Sequence, residues 1–194
     1  MSFLEKVNSP YIRHTKKRIY QGDIYKDITL QFAEQKDGDL LVQTINLVYV
    51  CVLTQDCDLQ QDFDNRARDE GKHNNYLPCI LICPAYQAKK FRVGEHISEQ
   101  RMRTFNEKEF TKLRNNDSER RYHWLPEDSQ FYIPEIIIDF KHYYAIPRHI
   151  LYSLFEKNYI ATIIPLFREN LSHRFSNYLS RIGLPEIISE TQLV

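Results

Sequence analysis

The segment LLVQTINLVYVCVL, residues 40–53, decides the fold class of this chain. Its β-branched and aromatic residues favour an extended strand, and its polar alternation disappears toward the end. A strand with apolar residues on both faces is typical of the centre of a sheet. The pair Asp37-Gly38 just before it is typical of a tight hairpin turn, so residues 19–32 are predicted to form the preceding strand.

The remaining elements follow in the order of strands first and helices later. Residues 76–86 contain the apolar run CILIC, and residues 133–144 contain EIIIDF, so each is predicted to hold a buried strand. Capping and proline signals predict helices over residues 98–113, with Ser98 as the cap, and over residues 147–157 and 165–183. This order predicts an α+β domain, with a small, strongly bent antiparallel sheet or barrel carrying appended C-terminal helices.

Length, composition and charge limit the interpretation of the whole chain. At 194 residues, with 42% apolar residues and no linker or repeat, residues 1–194 are predicted to form one domain, strand-rich over 19–90 and helix-rich over 97–185. The 26 basic and 26 acidic residues give a formal charge of zero. No overall field therefore attracts nucleic acid or an anionic membrane, and any binding of a polyanion has to be local.

The N-terminus and the cysteines predict the cellular compartment. Glu5 and Lys6 stand where a secretory signal would have its apolar stretch, and the longest apolar run, residues 45–53, is too short to span a bilayer. The protein is therefore expected in the cytoplasm, without a membrane partner. In that compartment the four cysteines are expected as reduced thiols rather than as a disulfide framework.

Three short motifs resemble the opening strands of the PemK/MazF toxin family: YQGDI at 20–24, VCVLT at 50–54 and ILICP at 80–84. The resemblance covers about residues 20–86 and implies an SH3-like barrel, often dimeric, whose better-known members cleave single-stranded RNA without a metal. The Arg-Pro pair and the Thr that this family uses for cleavage are replaced by Asn46-Leu47 and Ala85-Tyr86. The resemblance therefore implies the fold and a homodimer more than it implies ribonuclease activity.

Four further motifs are similar to a group of uncharacterised bacterial proteins associated with mobile elements and phage defence: TQDCDL at 54–59, RYHWLP at 121–126, DFKHY at 139–143 and RIGLP at 181–185. Together the two resemblances imply a small-barrel component of a bacterial toxin–antitoxin or phage-defence module. The leading hypothesis is that it binds a macromolecular partner, a protein or a single-stranded nucleic acid. The alternatives are an RNA-cleaving relative with a rebuilt site, a cysteine hydrolase, and an interaction subunit stabilised by a bound metal ion.

Cys57 is the candidate nucleophile of the hydrolase alternative. A nucleophilic cysteine needs a lowered thiol pKa, and the aspartates on either side of Cys57 act in the opposite direction. A histidine folded against the thiol would supply the base. That histidine is His123 or His142, and Asp139 completes the set of candidate catalytic residues.

The same acidic segment is the candidate metal site. Asp56 and Asp58, with Cys57 and His123, offer ligands suited to one divalent cation, zinc among them, although no ligand spacing supports it. No cofactor is the simpler expectation. In that case the two aspartates accept backbone N–H bonds in a turn, and Cys57 packs as a small apolar side chain.

A basic and aromatic run is the candidate nucleic-acid interface: Arg120, Arg121, Tyr122 and Trp124. Cations bind phosphates and aromatic rings stack on bases, which is why this mixture is typical of single-strand binding. A solvated arginine pair followed by a core tryptophan explains the same run equally well. The chain has no phosphate-binding loop, dinucleotide glycine pattern, nucleophile elbow or zinc-protease motif.

Overall fold

The computed structural model describes residues 9–97, 100–117 and 119–180. The strands within them are β1 (Tyr11–Ile12), β2 (Asp23–Lys36), β3 (Asp39–Val52), β4 (Cys79–Gln87), β5 (Tyr122–Leu125), β6 (Ile136–Asp139), β7 (Tyr144–Pro147) and β8 (Tyr159–Ile163). The helices are α1 (Asp56–Arg66), α2 (Ala88–Arg92), α3 (Glu107–Arg114), α4 (Arg148–Asn158) and α5 (Pro165–Leu179). Short 3₁₀ turns occupy His73–Asn75 and Phe140–His142.

The strands form one strongly curled antiparallel sheet, a half-barrel. Its order is β1-β8-β2-β3-β4-β6-β5, and β7 pairs with β4 off this path. The predicted α+β class, with a bent antiparallel sheet and a C-terminal helix, is therefore confirmed. The second half of the chain, expected to be rich in helices, also contributes β5 to β8, because short strands return to β4 and β2 between the helices.

The hairpin between β2 and β3 is the longest feature of the sheet. Its tip, Asp37-Gly38, has a positive φ at both residues, 53° and 92°, as the predicted tight turn requires. Pairing of β2 with β8 stops at Tyr25, and pairing of β3 with β4 stops at Tyr49. From there to the tip the two strands pair with each other as a two-stranded ribbon.

The core lies on both faces of the curled sheet. Successive residues of β3 alternate between the faces: Cys51 belongs to the cluster that includes Phe175 of α5, whereas Val50 belongs to the cluster that includes Leu151 of α4. Both faces are covered here, which is why the sequence of β3 loses its polar alternation toward residue 52. A third cluster, which includes Phe91, joins α2 and α3 to β5 and β6.

Two local predictions differ from the structure. Asp56, Cys57 and Asp58, expected in a turn at a strand end, form the first turn of α1. The helix predicted over residues 98–113 begins only at residue 107, because Asn106 and Glu109 make a reciprocal capping box. Ser98, the predicted cap, and the predicted helix end at residue 183 lie outside the described residues.

Candidate functional site

A groove opens where β3 and β4 diverge. The ladder between them ends at the pair Tyr49 and Ala85. Beyond it lies a cavity of about 240 Å³, lined by residues 46–49 and 84–87. An adjoining cavity of about 390 Å³ is lined by residues 43–47 and shares Tyr86 with the first. Consecutive residues of a strand point to alternate faces, so a groove lined by all of them borders the edge of β3.

Asp139, at the end of β6, anchors the polar side of this groove. Its side chain is completely buried. Arg121 donates to both carboxylate oxygens, with Nε 2.7 Å from Oδ1 and Nη2 2.5 Å from Oδ2. The backbone N–H of Lys141 also donates to Oδ1, at 3.1 Å. A bidentate ion pair of this kind is strong and fixes the orientation of both groups.

His142 connects Asp139 to the groove. Its Nδ1 lies 3.4 Å from Asp139 Oδ2 and 3.0 Å from the Tyr86 hydroxyl. Burial lowers the pKa of His142, although the Asp139 carboxylate acts in the opposite direction. The ring is therefore neutral near neutral pH. In the part of the chain that the structure describes, its Nε2 has no hydrogen-bond partner, and the ring lines the groove.

His96 completes the polar wall. Its ring centroid lies 4.8 Å from that of Tyr86 and 4.4 Å from that of Phe91. Both ring nitrogens are buried without a hydrogen-bond partner among the described residues. Burial lowers the pKa of His96 to about 4. Sequence reasoning missed His96, which no motif surrounds, and it named Tyr86 only within a pair that replaces a residue of the PemK/MazF family. Only tertiary packing brings both residues to His142.

The four residues of the hydrolase alternative occupy three places. Asp139 and His142 are brought together, as described above. Cys57 is exposed on α1, with Sγ 3.7 Å from both Gln55 Oε1 and Asp58 Oδ1. His123 is buried in β5 against Phe140, and burial lowers its pKa to about 3. No hydrogen bond or ion pair within the described ranges joins Cys57 or His123 to the groove.

The residues of the predicted metal site have other neighbours. The carboxylate of Asp56 lies 3.2 Å from Arg18 and 3.7 Å from Arg168. These two guanidinium groups neutralise the carboxylate and would repel a metal cation bound to it. Across residues 9–97, 100–117 and 119–180, no three His, Cys, Asp or Glu side chains are grouped so that they could hold a metal ion. The zinc alternative stays a prediction.

The predicted nucleic-acid residues also differ from one another in their surroundings. Arg121 is paired with Asp139, and Tyr122 is buried with its ring centroid 5.1 Å from that of Phe91. Trp124 is half-buried and donates from Nε1 to Glu135 at 2.5 Å. Arg120 is exposed. A role for these residues in binding nucleic acid stays a prediction.

Comparison with protein-family models, with curated proteins and with solved structures finds no match for this chain. The resemblance of residues 20–86 to the PemK/MazF family therefore stays a prediction. Among the helices that the structure describes, none is long and apolar enough to cross a bilayer. The function has to be inferred from the groove itself.

Proposed function

We propose that this protein binds an extended polypeptide segment of a partner protein, which adds as a strand to β3 inside the groove. The observation that carries the proposal is the edge of β3 over residues 43–48. This edge lines the groove and has no ladder partner among the described residues. Strand addition at an open sheet edge is a common mode of peptide recognition.

The backbone of β3 is suited to such a ligand. In an antiparallel sheet, alternate residues of a strand direct N–H and C=O to one side and the residues between them to the other. The side of β3 toward β2 is paired from Asp39 to Cys51, whereas the side toward β4 is paired only from Tyr49 onward. A ligand strand would form the missing hydrogen bonds, each contributing about 0.5–1.5 kcal/mol.

The side chains of the groove favour a peptide over a nucleic acid. The described lining is mostly amide, aromatic and apolar, and its only charged side chains are Lys90 and Glu95, of opposite sign. Phosphate binding draws most of its affinity from clustered cations, which this groove does not offer. Tyr86 and His142 instead provide a polar contact point in an otherwise neutral channel.

The setting that we propose comes from the resemblances in the sequence. In that setting the protein is a cytoplasmic component of a bacterial toxin–antitoxin or phage-defence module. The bound segment would belong to the protein that accompanies it in the module. A homodimer, in which a second copy supplies the segment, is a special case of the same binding mode.

Selection from a display library of linear peptides of about ten residues tests the proposal. Asn46 lines both cavities, so the Asn46→Trp variant fills the groove. Glu34 on β2 pairs with Leu41, is exposed and lines neither cavity, so Glu34→Trp is the control. We expect selected peptides to bind the wild type and the control equally and Asn46→Trp at least about tenfold more weakly. Circular dichroism checks that both variants fold.

N-methylation of alternate amides separates strand addition from other peptide binding. Methylation removes an N–H donor, so one of the two alternating series is expected to lose binding and the other to retain it. Equal binding of both series, or equal binding to Asn46→Trp and wild type, would contradict the proposal.

A second candidate function is acid–base catalysis, and the orientation of His142 favours it. Asp139 and Tyr86 position Nδ1, and Nε2 is left to accept a proton from a substrate bound in the groove. This corresponds to the alternative of an RNA-cleaving relative with a rebuilt site. Growth arrest and RNA cleavage on expression would then disappear in His142→Gln and persist in Cys57→Ser. Persistence in both variants would remove this candidate.

A further inference from the structure

A second surface lies between α5 and the turn that follows α3. We infer that this surface, which we call the arginine cleft, binds the phosphate group of a ligand. It consists of two adjoining cavities, of about 440 Å³ and about 340 Å³, that share Arg120. The inference does not depend on the proposed peptide groove. The residues that carry it are Arg120, Lys141, His173 and Arg174.

The ion pairing of arginines distinguishes the cleft from the rest of the surface. Arg120 and Arg174 line the same cavity, and neither has a carboxylate within 4.0 Å in the part of the chain described. Most other arginines do have one, and eight are paired in this way: Arg18, Arg66, Arg92, Arg103, Arg114, Arg121, Arg148 and Arg168.

Arg174 gives the stronger indication of an anion site. Its Nη1 donates to the carbonyl of Asn116 and its Nη2 to that of Tyr122, both at 2.6 Å. Its Nε is buried and has no hydrogen-bond partner among the described residues. Carbonyl groups orient a guanidinium without neutralising it. Burial lowers the pKa of Arg174, although the Asp117 carboxylate acts in the opposite direction. A partly buried cation without a carboxylate partner is stabilised by an anion placed beside it.

The balance of charge around the cleft is positive. Glu119 forms an ion pair with Arg103 at 2.5 Å, and Arg121 forms one with Asp139. Among the described lining residues, Asp117 is then the one carboxylate that is not in an ion pair. Three lining cations have no carboxylate partner within the described residues: Arg120, Lys141 and Arg174.

The polar groups of the lining suit phosphate. Asn115, Asn170 and Asn177 add neutral amide donors beside the cations, and His173 adds an imidazole. A phosphate presents several oxygens in different directions and accepts from guanidinium, ammonium and amide donors at once. The group could belong to a free phosphorylated molecule or to the backbone of a nucleic acid, since both present the same oxygens.

Isothermal titration of the full chain at low ionic strength tests the inference with three ligands: inorganic phosphate, adenosine monophosphate and a single-stranded oligodeoxynucleotide. The test variants are Arg120→Gln and Lys141→Gln, both at exposed positions. The control is Arg68→Gln, which removes an exposed arginine just beyond α1. We expect each test variant to weaken binding about tenfold and the control to leave it unchanged.

The three ligands distinguish the sources. Preference for the oligonucleotide, with a salt dependence that Arg120→Gln makes shallower by about 0.7 in log–log slope, identifies a nucleic-acid backbone. Equal binding of adenosine monophosphate and the oligonucleotide identifies a single phosphate site. Absence of binding by all three ligands, or equal weakening by Arg68→Gln, overturns the inference. Because none of these variants lies in the peptide groove, either proposal can fail without the other.

Discussion

Asp23 and Asp139 are both completely buried, and each faces a histidine. Asp23 Oδ1 lies 3.3 Å from Nε2 of His14, and Asp139 Oδ2 lies 3.4 Å from Nδ1 of His142. The two pairs belong to different sides of the half-barrel, the first near β8 and the second at the groove. Their chemistry is the same, so any difference in role has to come from the surroundings.

The surroundings of His14 are closed. Its Nδ1 lies 2.9 Å from the carbonyl of Lys16, and its ring packs against Tyr20 and Tyr159, with centroids 4.4 Å and 4.8 Å away. Both ring nitrogens therefore have partners within the fold. Asp23 in turn accepts from Thr162 at 2.6 Å. This pair joins the N-terminal segment to β8, and neither ring nitrogen of His14 is left to bind a ligand.

The surroundings of His142 are open. One nitrogen is held by Asp139 and Tyr86, and the other has no described partner at the wall of the groove. The comparison teaches that a buried aspartate–histidine pair indicates a site only when one ring nitrogen remains available. Substitutions in the two pairs test this distinction, and His123 and the thiols provide buried and exposed groups outside the pairs for comparison.

Neutralising the two aspartates should have unequal effects on stability. Asp139→Asn leaves Arg121 without its carboxylate, and we expect the free energy of unfolding to fall by about 3 kcal/mol. Burial raises the pKa of Asp23, so the fold already favours a neutral group there, and Asp23→Asn should cost about 1 kcal/mol. Urea denaturation at neutral pH measures both. Equal losses would remove the distinction between the two pairs.

His123 sharpens the comparison, because it has no carboxylate partner within the described part of the chain and is expected to make stability depend on pH. Its pKa is about 3 in the fold and 6.5 in the unfolded chain, so the unfolded chain binds the proton first. The contribution of the uncharged ring to the free energy of unfolding is therefore fully present above about pH 6.5 and is lost as the pH falls. The loss is on the order of 2 kcal/mol at about pH 5. The apolar variant His123→Phe should lose less stability between about pH 7 and about pH 5 than the wild type. An unchanged acid dependence would contradict the burial of an uncharged ring.

Replacing each paired histidine by glutamine should separate stability from binding. His14→Gln removes several ring contacts, so we expect a loss of about 1–2 kcal/mol in the free energy of unfolding. His142→Gln should cost less than about 1 kcal/mol and should weaken the peptides selected for the groove. Denaturation and peptide titration of the two variants provide the measurements. A larger stability loss in His142→Gln would assign that ring a structural role.

Substitution of an exposed thiol should change the free energy of unfolding least. Cys57 and Cys79 are exposed, whereas Cys51 and Cys83 are buried, and burial raises the pKa of both buried thiols. Titration with a thiol reagent should therefore label two cysteines quickly and the other two only after unfolding. Cys57→Ser should change the free energy of unfolding by no more than about 0.5 kcal/mol. Slow labelling of Cys57 would mean that its surroundings are less open than those of a surface thiol.

Sequence patterns predicted the elements whose stability is local. The hairpin at Asp37-Gly38 depends on two residues that adopt a positive φ, and α5 begins at Pro165 as its proline signal indicates. The helix α1 was missed because its sequence is mostly polar. It is held by Asp62, whose carboxylate pairs with Arg148 from a position 86 residues away. A contact of that separation leaves no local pattern.

By itself the sequence determined the curled antiparallel sheet, the central strand β3 and the closeness of Asp139 to His142, which lie three residues apart. Only the tertiary structure decided that Arg121 and Tyr86 meet this pair, that Cys57 lies apart from it, and that β3 leaves an open edge beside it. The physical reason is that strand and turn preferences act over a few residues. Which side chains share a groove is set instead by pairing among β3, β4, β5 and β6, which joins distant parts of the chain.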